Sequence, residues 1–146
     1  MASSKRVKPL SPADSAYIAG VIDGEGTVTL CRKHRNENHQ VAVSISNTDY
    51  DLLKYVLDTV GAGKITRKRI QKSHHTPSYV YAVYNRQALQ LLAQIVPYLK
   101  TYKAQRTRLL LDHYLVLTPR NGKYSKDLQT RRDVFVQQIL AITHRV

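Results

Sequence analysis

Two carboxylates, Asp23 and Glu25, close the apolar run Tyr17-Ile18-Ala19-Gly20-Val21-Ile22, and the segment reads Asp23-Gly24-Glu25-Gly26. Carboxylate oxygens of this kind hold hard divalent cations. An ion so held can stabilise the attacking water, the phosphoryl oxygens and the leaving alkoxide when a phosphodiester is hydrolysed. The surrounding composition points to the same chemistry, because Lys and Arg number 23 against 10 Asp and Glu, a formal net charge of +13. A chain this basic is expected to meet nucleic acid. A carboxylate would repel the phosphates of that nucleic acid unless a metal cation lay between them.

The remaining bounds narrow the class. The 146 residues, 42% of them hydrophobic, suit one ordinary globular domain with a real core. No run of about 18 apolar residues could span a bilayer, and Met1 to Lys8 lacks the apolar centre of a signal peptide. A soluble, intracellular protein with no membrane partner is expected, with its compartment left open. The single cysteine, Cys31, excludes an internal disulfide or a cysteine-based zinc site within one chain and reads as a small apolar strand residue. Residues 1–10 are basic and unpatterned, a loose arm before one domain spanning 11–146.

The elements that must position the carboxylates follow from periodicity. Ser11 as N-cap, Pro12 at the first helical position and Asp14 in the first turn predict a helix from Pro12 to Gly24. Glu25 then falls just past its C-terminus, where exposed carbonyls already make the potential negative. Gly20 and Gly24, four apart on one face, cost about 1 kcal/mol each relative to alanine, so their use implies a close neighbour.

From Thr27 the period becomes two. Val28 and Leu30 point one way and Thr27, Thr29, Cys31, Lys33 and Arg35 the other, before a polar turn at Asn36-Glu37-Asn38. The return strand, His39 to Ser46, places Val41, Val43 and Ile45 inward and Gln40, Ala42, Ser44 and Ser46 outward. Asn47-Thr48-Asp49 caps a helix that stops at Gly61. The plan then repeats: strands over Lys64 to Lys72 and Ser78 to Tyr84, and a helix from Arg86 to Val96 closed by Pro97. A basic helix over Thr101 to Leu117 and a last one over Asp127 to Ile142 complete the chain.

This αββαββα order, with the acidic segment ending its first helix, resembles the LAGLIDADG homing endonuclease family. Ile18 to Gly26 matches that signature place by place, with conservative changes at the apolar positions and Glu25 where the family usually has aspartate. The resemblance extends over roughly residues 14 to 117 and includes Pro97-Tyr98-Leu99-Lys100, similar to the segment before the family's basic helix. It implies an α+β fold with a saddle-shaped antiparallel sheet, to which the last helices are extra. It also implies that Glu25 binds metal with help from the Gly24 carbonyl, and that Asn47 positions water. The implied ion is Mg2+, with Mn2+ substituting and Ca2+ supporting binding without cleavage. A basic residue near the active site corresponds to Lys103 or Lys100, with Lys103 ranked first; gapless matching puts Tyr102 where lysine is expected. Asp23 is expected to support the helix junction more than to bind metal.

One copy of the motif supplies half of what a double-strand break needs. The resemblance therefore implies a two-fold homodimer, with Ala19, Gly20, Asp23 and Gly24 at the interface and both Glu25 carboxylates beside adjacent phosphates. Internal packing of one buried helix is the alternative for the glycines.

A β-surface can enter the major groove of double-stranded DNA, where outward side chains meet base edges. Thr27, Thr29, Lys33, Arg35, Gln40, Ser44 and Ser46 are the candidates from the first hairpin. In the third strand Thr66 and Lys68 share one face and Arg67 and Arg69 the other, and alternation does not choose between them. Strands of about eight residues at roughly 3.3 Å rise cover about 26 Å, or roughly 8 base pairs. Two copies would read a pseudo-palindrome twice that long.

His34 and His39 superficially suggest an HNH nuclease, but both lie at a hairpin turn with no adjoining metal-site helix. His74-His75 reads as a polar loop pair. The resemblance thus implies a metal-dependent, site-specific DNA endonuclease making a staggered break across the minor groove. The rivals are a protein of the same fold that binds nucleic acid without cutting it, such as a maturase or regulator, and a basic structural RNA-binding protein.

Overall fold

The computed structural model describes residues 6–68 and 76–145. Its elements run α1 (Pro12–Glu25), β1 (Gly26–Cys31), β2 (Gln40–Asn47), α2 (Tyr50–Val60), β3 (Lys64–Arg67), β4 (Tyr79–Tyr84), α3 (Asn85–Ile95), a 3-10 turn (Val96–Tyr98), α4 (Tyr102–His113) and α5 (Lys126–Ala141). The four strands form one antiparallel sheet in the order β1-β2-β4-β3. This is the α+β arrangement expected, with α5 added beyond it.

The caps explain where the helices begin. Ser11 accepts from the Asp14 N–H ahead of Pro12, and Asp49 accepts from the N–H groups of Asp51 and Leu52, each satisfying donors that a helix start leaves unpaired. Gly61, in the left-handed conformation, ends α2. One face of the sheet carries Val28, Val43, Ile45, Tyr81 and Val83, and on it Ile18 and Ile22 of α1, Leu53 and Val56 of α2, Leu91, Leu92 and Ile95 of α3 and Leu110 of α4 close a continuous core.

Several boundaries differ from those read off the sequence. α1 continues through Glu25, so this carboxylate is the last helical residue instead of the first one past it. β1 ends at Cys31, leaving Lys33 and Arg35 in the hairpin turn, where strand alternation no longer assigns them a face. β3 is only four residues long; Arg69 and the His74-His75 pair lie outside the described residues. The segment before α1 is not loose from Val7 onward. The Val7 and Leu10 N–H groups donate to the Gln90 and Gln94 side chains of α3 at 3.0 and 2.7 Å, and the Lys8 N–H donates to the Val60 carbonyl at 2.8 Å.

Candidate active site and nucleic-acid face

The helix-to-strand junction that carries the carboxylates has almost no room. A Cβ built on Gly26 would lie 2.7 Å from the Ile22 Cα and 3.1 Å from the Ser44 carbonyl oxygen, so only glycine lets β1 leave α1 this abruptly. The turn delivers Glu25 exposed at the helix end while Gly26 is already buried in the sheet.

Asn47, the last residue of β2, reaches the same place. Its side-chain N–H donates to the Glu25 carboxylate, and its amide oxygen accepts from the Asp49 N–H at 2.7 Å. With the oxygen committed to a backbone donor, the NH2 must face Glu25, which fixes the orientation of the amide. The structure therefore brings together Glu25 and Asn47, two residues 22 positions apart in sequence.

Asp23 faces another way. Its carboxylate accepts from the Lys100 N–H at 2.7 Å, the Thr101 N–H at 3.2 Å and the Thr101 hydroxyl at 2.6 Å. Thr101 is the N-cap of α4, so Asp23 holds the start of that helix and adds negative charge at its positive end. Lys103 completes the joint from the opposite side. Its ammonium donates to the carbonyls of Ile22 at 2.8 Å and Asp23 at 2.9 Å in the last turn of α1, adding a second donor to the Ile22 carbonyl, which also accepts from the Gly26 N–H. Burial lowers the Lys103 pKa, the Asp23 carboxylate opposes that shift, and Arg106 adds to it.

These contacts distinguish the two lysines. Lys103 is buried and engaged with backbone, so it is a clamp on the motif helix and not a free cation facing a phosphate. The Lys100 side chain is exposed. Tyr102 opens α4 with its ring 5.3 Å from the Arg106 guanidinium and 5.8 Å from the Lys103 ammonium.

The donor set suits a hard ion. Glu25 offers one exposed carboxylate, and the Gly24 carbonyl is the next along the chain after the two that Lys103 holds. Among the described residues no group of three His, Cys, Asp or Glu side chains is gathered anywhere. A magnesium-type site needs no such cage, because that ion keeps several waters and takes the rest of its ligands from one or two carboxylates and the substrate phosphate.

Comparison with known proteins bears on the same residues. A sequence model described as LAGLIDADG endonuclease matches residues 18–117. The chain belongs to the LAGLIDADG endonuclease family. Among solved structures, the homing endonuclease I-CvuI in complex with its target in the presence of calcium is similar with a TM-score of 0.74 at 17% identity, covering 92% of this chain and 84% of that one. The archaeal intron-encoded homing endonuclease I-Vdi141I complexed with DNA is similar with a TM-score of 0.64 at 18% identity, over 90% and 85% of the two chains. The meganuclease I-SmaMI bound to uncleavable DNA aligns over 97% of this chain but 48% of its own, with a TM-score of 0.65 at 16% identity. At these identities the likeness establishes the shared fold. A search of curated proteins finds no match.

The LAGLIDADG helix α1 leaves one side open. Ala13, Ala16, Tyr17, Gly20 and Gly24 form an exposed stripe, and a Cβ added at Gly20 or Gly24 would meet nothing within 4 Å. The glycines therefore serve no close packing inside the protomer. Ala19 departs from the interface expected for it, since it is fully buried in the protomer core, and the Asp23 carboxylate is turned toward α4. Tyr17 and Tyr55 flank the stripe edge to face at 5.5 Å, with the Tyr55 hydroxyl donating to Asp14 at 2.5 Å.

On the sheet face away from the helices, strand register defines rows. Thr29 lies beside Ala42 and Tyr84, then come Thr27, Ser44, Ala82 and Lys64, then Ser46, Val80 and Thr66. Gln40 continues this face opposite Cys31, its side-chain oxygen accepting from the Asn85 amide at 2.5 Å. Register also separates the third strand's residues. Thr66 belongs to the outward rows, whereas Arg67 shares the opposite face with Ile65 and Tyr79 and leaves the outward set; Lys68 lies one residue past the end of β3, where register assigns it no face. Two further residues join the outward rows, Lys64, which pattern reading passed over, and Tyr84, which as a strand aromatic reads more readily as core. Only their register opposite Ser44 and Ala42, through β4 and β2, reveals them.

Proposed function

We propose that this chain is a homodimeric, magnesium-dependent, site-specific endonuclease of double-stranded DNA. The observation that carries the reading is the exposed Glu25 carboxylate, held by Asn47 at the end of α1, on a basic chain whose net charge is +13. A protein that only bound nucleic acid would have no use for an anion there. Glu25 and the Gly24 carbonyl would hold the ion, which when bound supplies Lewis-acid stabilisation of the phosphoryl and leaving oxygens. Asn47 keeps the Glu25 carboxylate oriented and presents its N–H where an attacking water can be aligned. The Lys100 ammonium contributes positive charge beside the site. The side chains of Thr27, Thr29, Gln40, Ser44, Ser46, Lys64 and Thr66 read base edges from the outward rows.

The open glycine stripe supports the pair. Two copies packed along it would set two Glu25 carboxylates near the two-fold axis, giving a staggered break across the minor groove of a pseudo-palindromic site. The relatives solved with DNA agree with that reading: I-CvuI is matched over most of its length, whereas I-SmaMI is matched over about half.

The test is Glu25→Gln, assayed on targets selected from a randomised duplex library. Binding in calcium should persist while cleavage in magnesium falls by about 100-fold or more. Cleavage at the wild-type rate would refute the metal role of Glu25.

A further inference from the structure

We propose that Arg132 and Gln129 of α5 are positioning residues for sequence discrimination, setting the angle at which the β1–β2 hairpin presents its outward side chains to the outer base pairs of the target. The proposal rests on the endonuclease reading and extends it to a helix beyond the family match, which ends at Leu117.

The far end of this hairpin lacks support from the sheet. β2 pairs with β4 only from Ala42 to Asn47, so Gln40 and Val41 have strand neighbours in β1 alone. Because β1 starts at the Glu25 junction and runs away from it for six residues, the turn end lies about 20 Å along the strand from the reacting phosphate, or roughly six base pairs. An isolated two-stranded hairpin is marginally stable. Its direction would wander unless something else held it.

α5 is what holds it. The Gln129 and Asn38 side chains exchange amide hydrogen bonds at 2.8 and 3.4 Å. The Arg132 guanidinium donates to the His39 carbonyl at 2.5 Å, the Leu117 carbonyl at 2.8 Å and the Thr118 hydroxyl at 2.6 Å. It lies 5.0 Å from the Tyr114 ring and 5.6 Å from the Tyr124 ring. Arg132 is only 3% exposed, its acceptors are all neutral, and its Nε is without a partner. A buried cation so placed is costly, and an apolar residue would fill the space more cheaply. What the planar fork supplies is direction, since it ties α5, the α4–α5 connection and the hairpin stem together in one geometry. The tie continues through Tyr114. Its hydroxyl accepts from the Val41 N–H at 3.4 Å and donates to Asn85 at 2.9 Å, and Asn85 in turn donates to the outward Gln40.

The experiment compares wild type, Arg132→Met, Arg132→Lys and Gln129→Ala on the library-selected target. Cleavage is measured on that target and on duplexes with single changes at inner and at outer positions. Arg132→Met should lose about tenfold in discrimination at the outer positions, the scale of one base-edge contact, while kcat on the intact target and discrimination at inner positions stay at wild-type values. Gln129→Ala should shift discrimination in the same sense and less far, and Arg132→Lys should recover part of it. Folded variants that discriminate as wild type does, or that lose discrimination equally at inner and outer positions, would overturn the proposal. If Arg132→Met does not fold, Gln129→Ala decides, because at the edge of α5 it removes the amide pair with Asn38 and one exposed bond to Asp133. Wild-type protein that cuts no site would instead sink the endonuclease reading itself, so the two failures are distinguishable.

Discussion

Replacing Asp23 with asparagine separates the two acids of the motif. The carboxylate accepts three hydrogen bonds, at 2.7 Å from the Lys100 N–H and at 3.2 and 2.6 Å from the Thr101 N–H and hydroxyl. An amide has one acceptor oxygen. If that oxygen stays with Thr101, the NH2 confronts the Lys100 N–H donor to donor, one charge-assisted bond is lost and the other two become neutral. Bonds to charged groups contribute about 1.5–3 kcal/mol each and neutral ones about 1, so the gross loss is about 4 kcal/mol. Asp23 is partly solvated, and screening reduces this to about 2 kcal/mol. For a chain of this length that corresponds to a fall in Tm of roughly 6 °C, read by circular dichroism. Because the carboxylate is turned toward α4, calcium affinity of the DNA complex, read by titration calorimetry, should change by less than about twofold, well under the about 1.4 kcal/mol of a tenfold effect. An unchanged Tm together with lost calcium binding would refute the architectural role and make Asp23 a ligand.

Three further outcomes are expected. Lys103→Met removes the donor to the Asp23 carbonyl and the second donor to the Ile22 carbonyl and should cost about 2 kcal/mol. The folded state depresses the pKa of this lysine below 10.5, so its contribution is greatest above that pH and falls as pH drops through the folded value. The wild-type advantage in Tm should therefore widen from neutral toward alkaline pH; a constant difference would count against the buried ammonium. Tyr81, fully buried, donates to the Ala62 carbonyl at 2.5 Å, and burial pushes its phenol pKa up. Tyr81→Phe should lose about 1–2 kcal/mol at neutral pH and should lack the decline that wild type shows from this group above about pH 10, measured by denaturant melts across pH. A Cβ at Gly20 meets nothing within 4 Å and Gly20→Leu gains up to about 1 kcal/mol of helix propensity, yet it should dissociate the pair in sedimentation equilibrium. A dimer of unchanged affinity would place the interface elsewhere.

Much of the architecture is legible because it is local. Alternation at Val28 and Leu30 and at Val41, Val43 and Ile45 reports which side of each strand is buried, since the backbone pleat repeats every two residues. Ser11 and Asp49 announce helix starts because their side chains bond donors two or three residues away. The acidic motif identifies the family and singles out Glu25, because the abrupt helix-to-strand turn and its glycine belong to one contiguous stretch.

Tertiary structure alone decided the rest. Lys103 looks in sequence like a basic residue available to a phosphate, and its commitment to carbonyls 80 and 81 residues earlier depends on how α4 docks against α1. Arg67 and Thr66 are neighbours in a short strand with a basic residue at each end, and pairing with β4 assigns them to opposite faces. Arg132 carries no local sign that it ends beneath the hairpin. Periodicity and capping are written into backbone geometry within a few residues of each position. The partner of a long charged side chain is settled only when distant elements pack, and the sequence by itself therefore marked out Glu25 and Asn47 but not the contacts of Asp23 and Lys103 that fix the helix carrying Glu25.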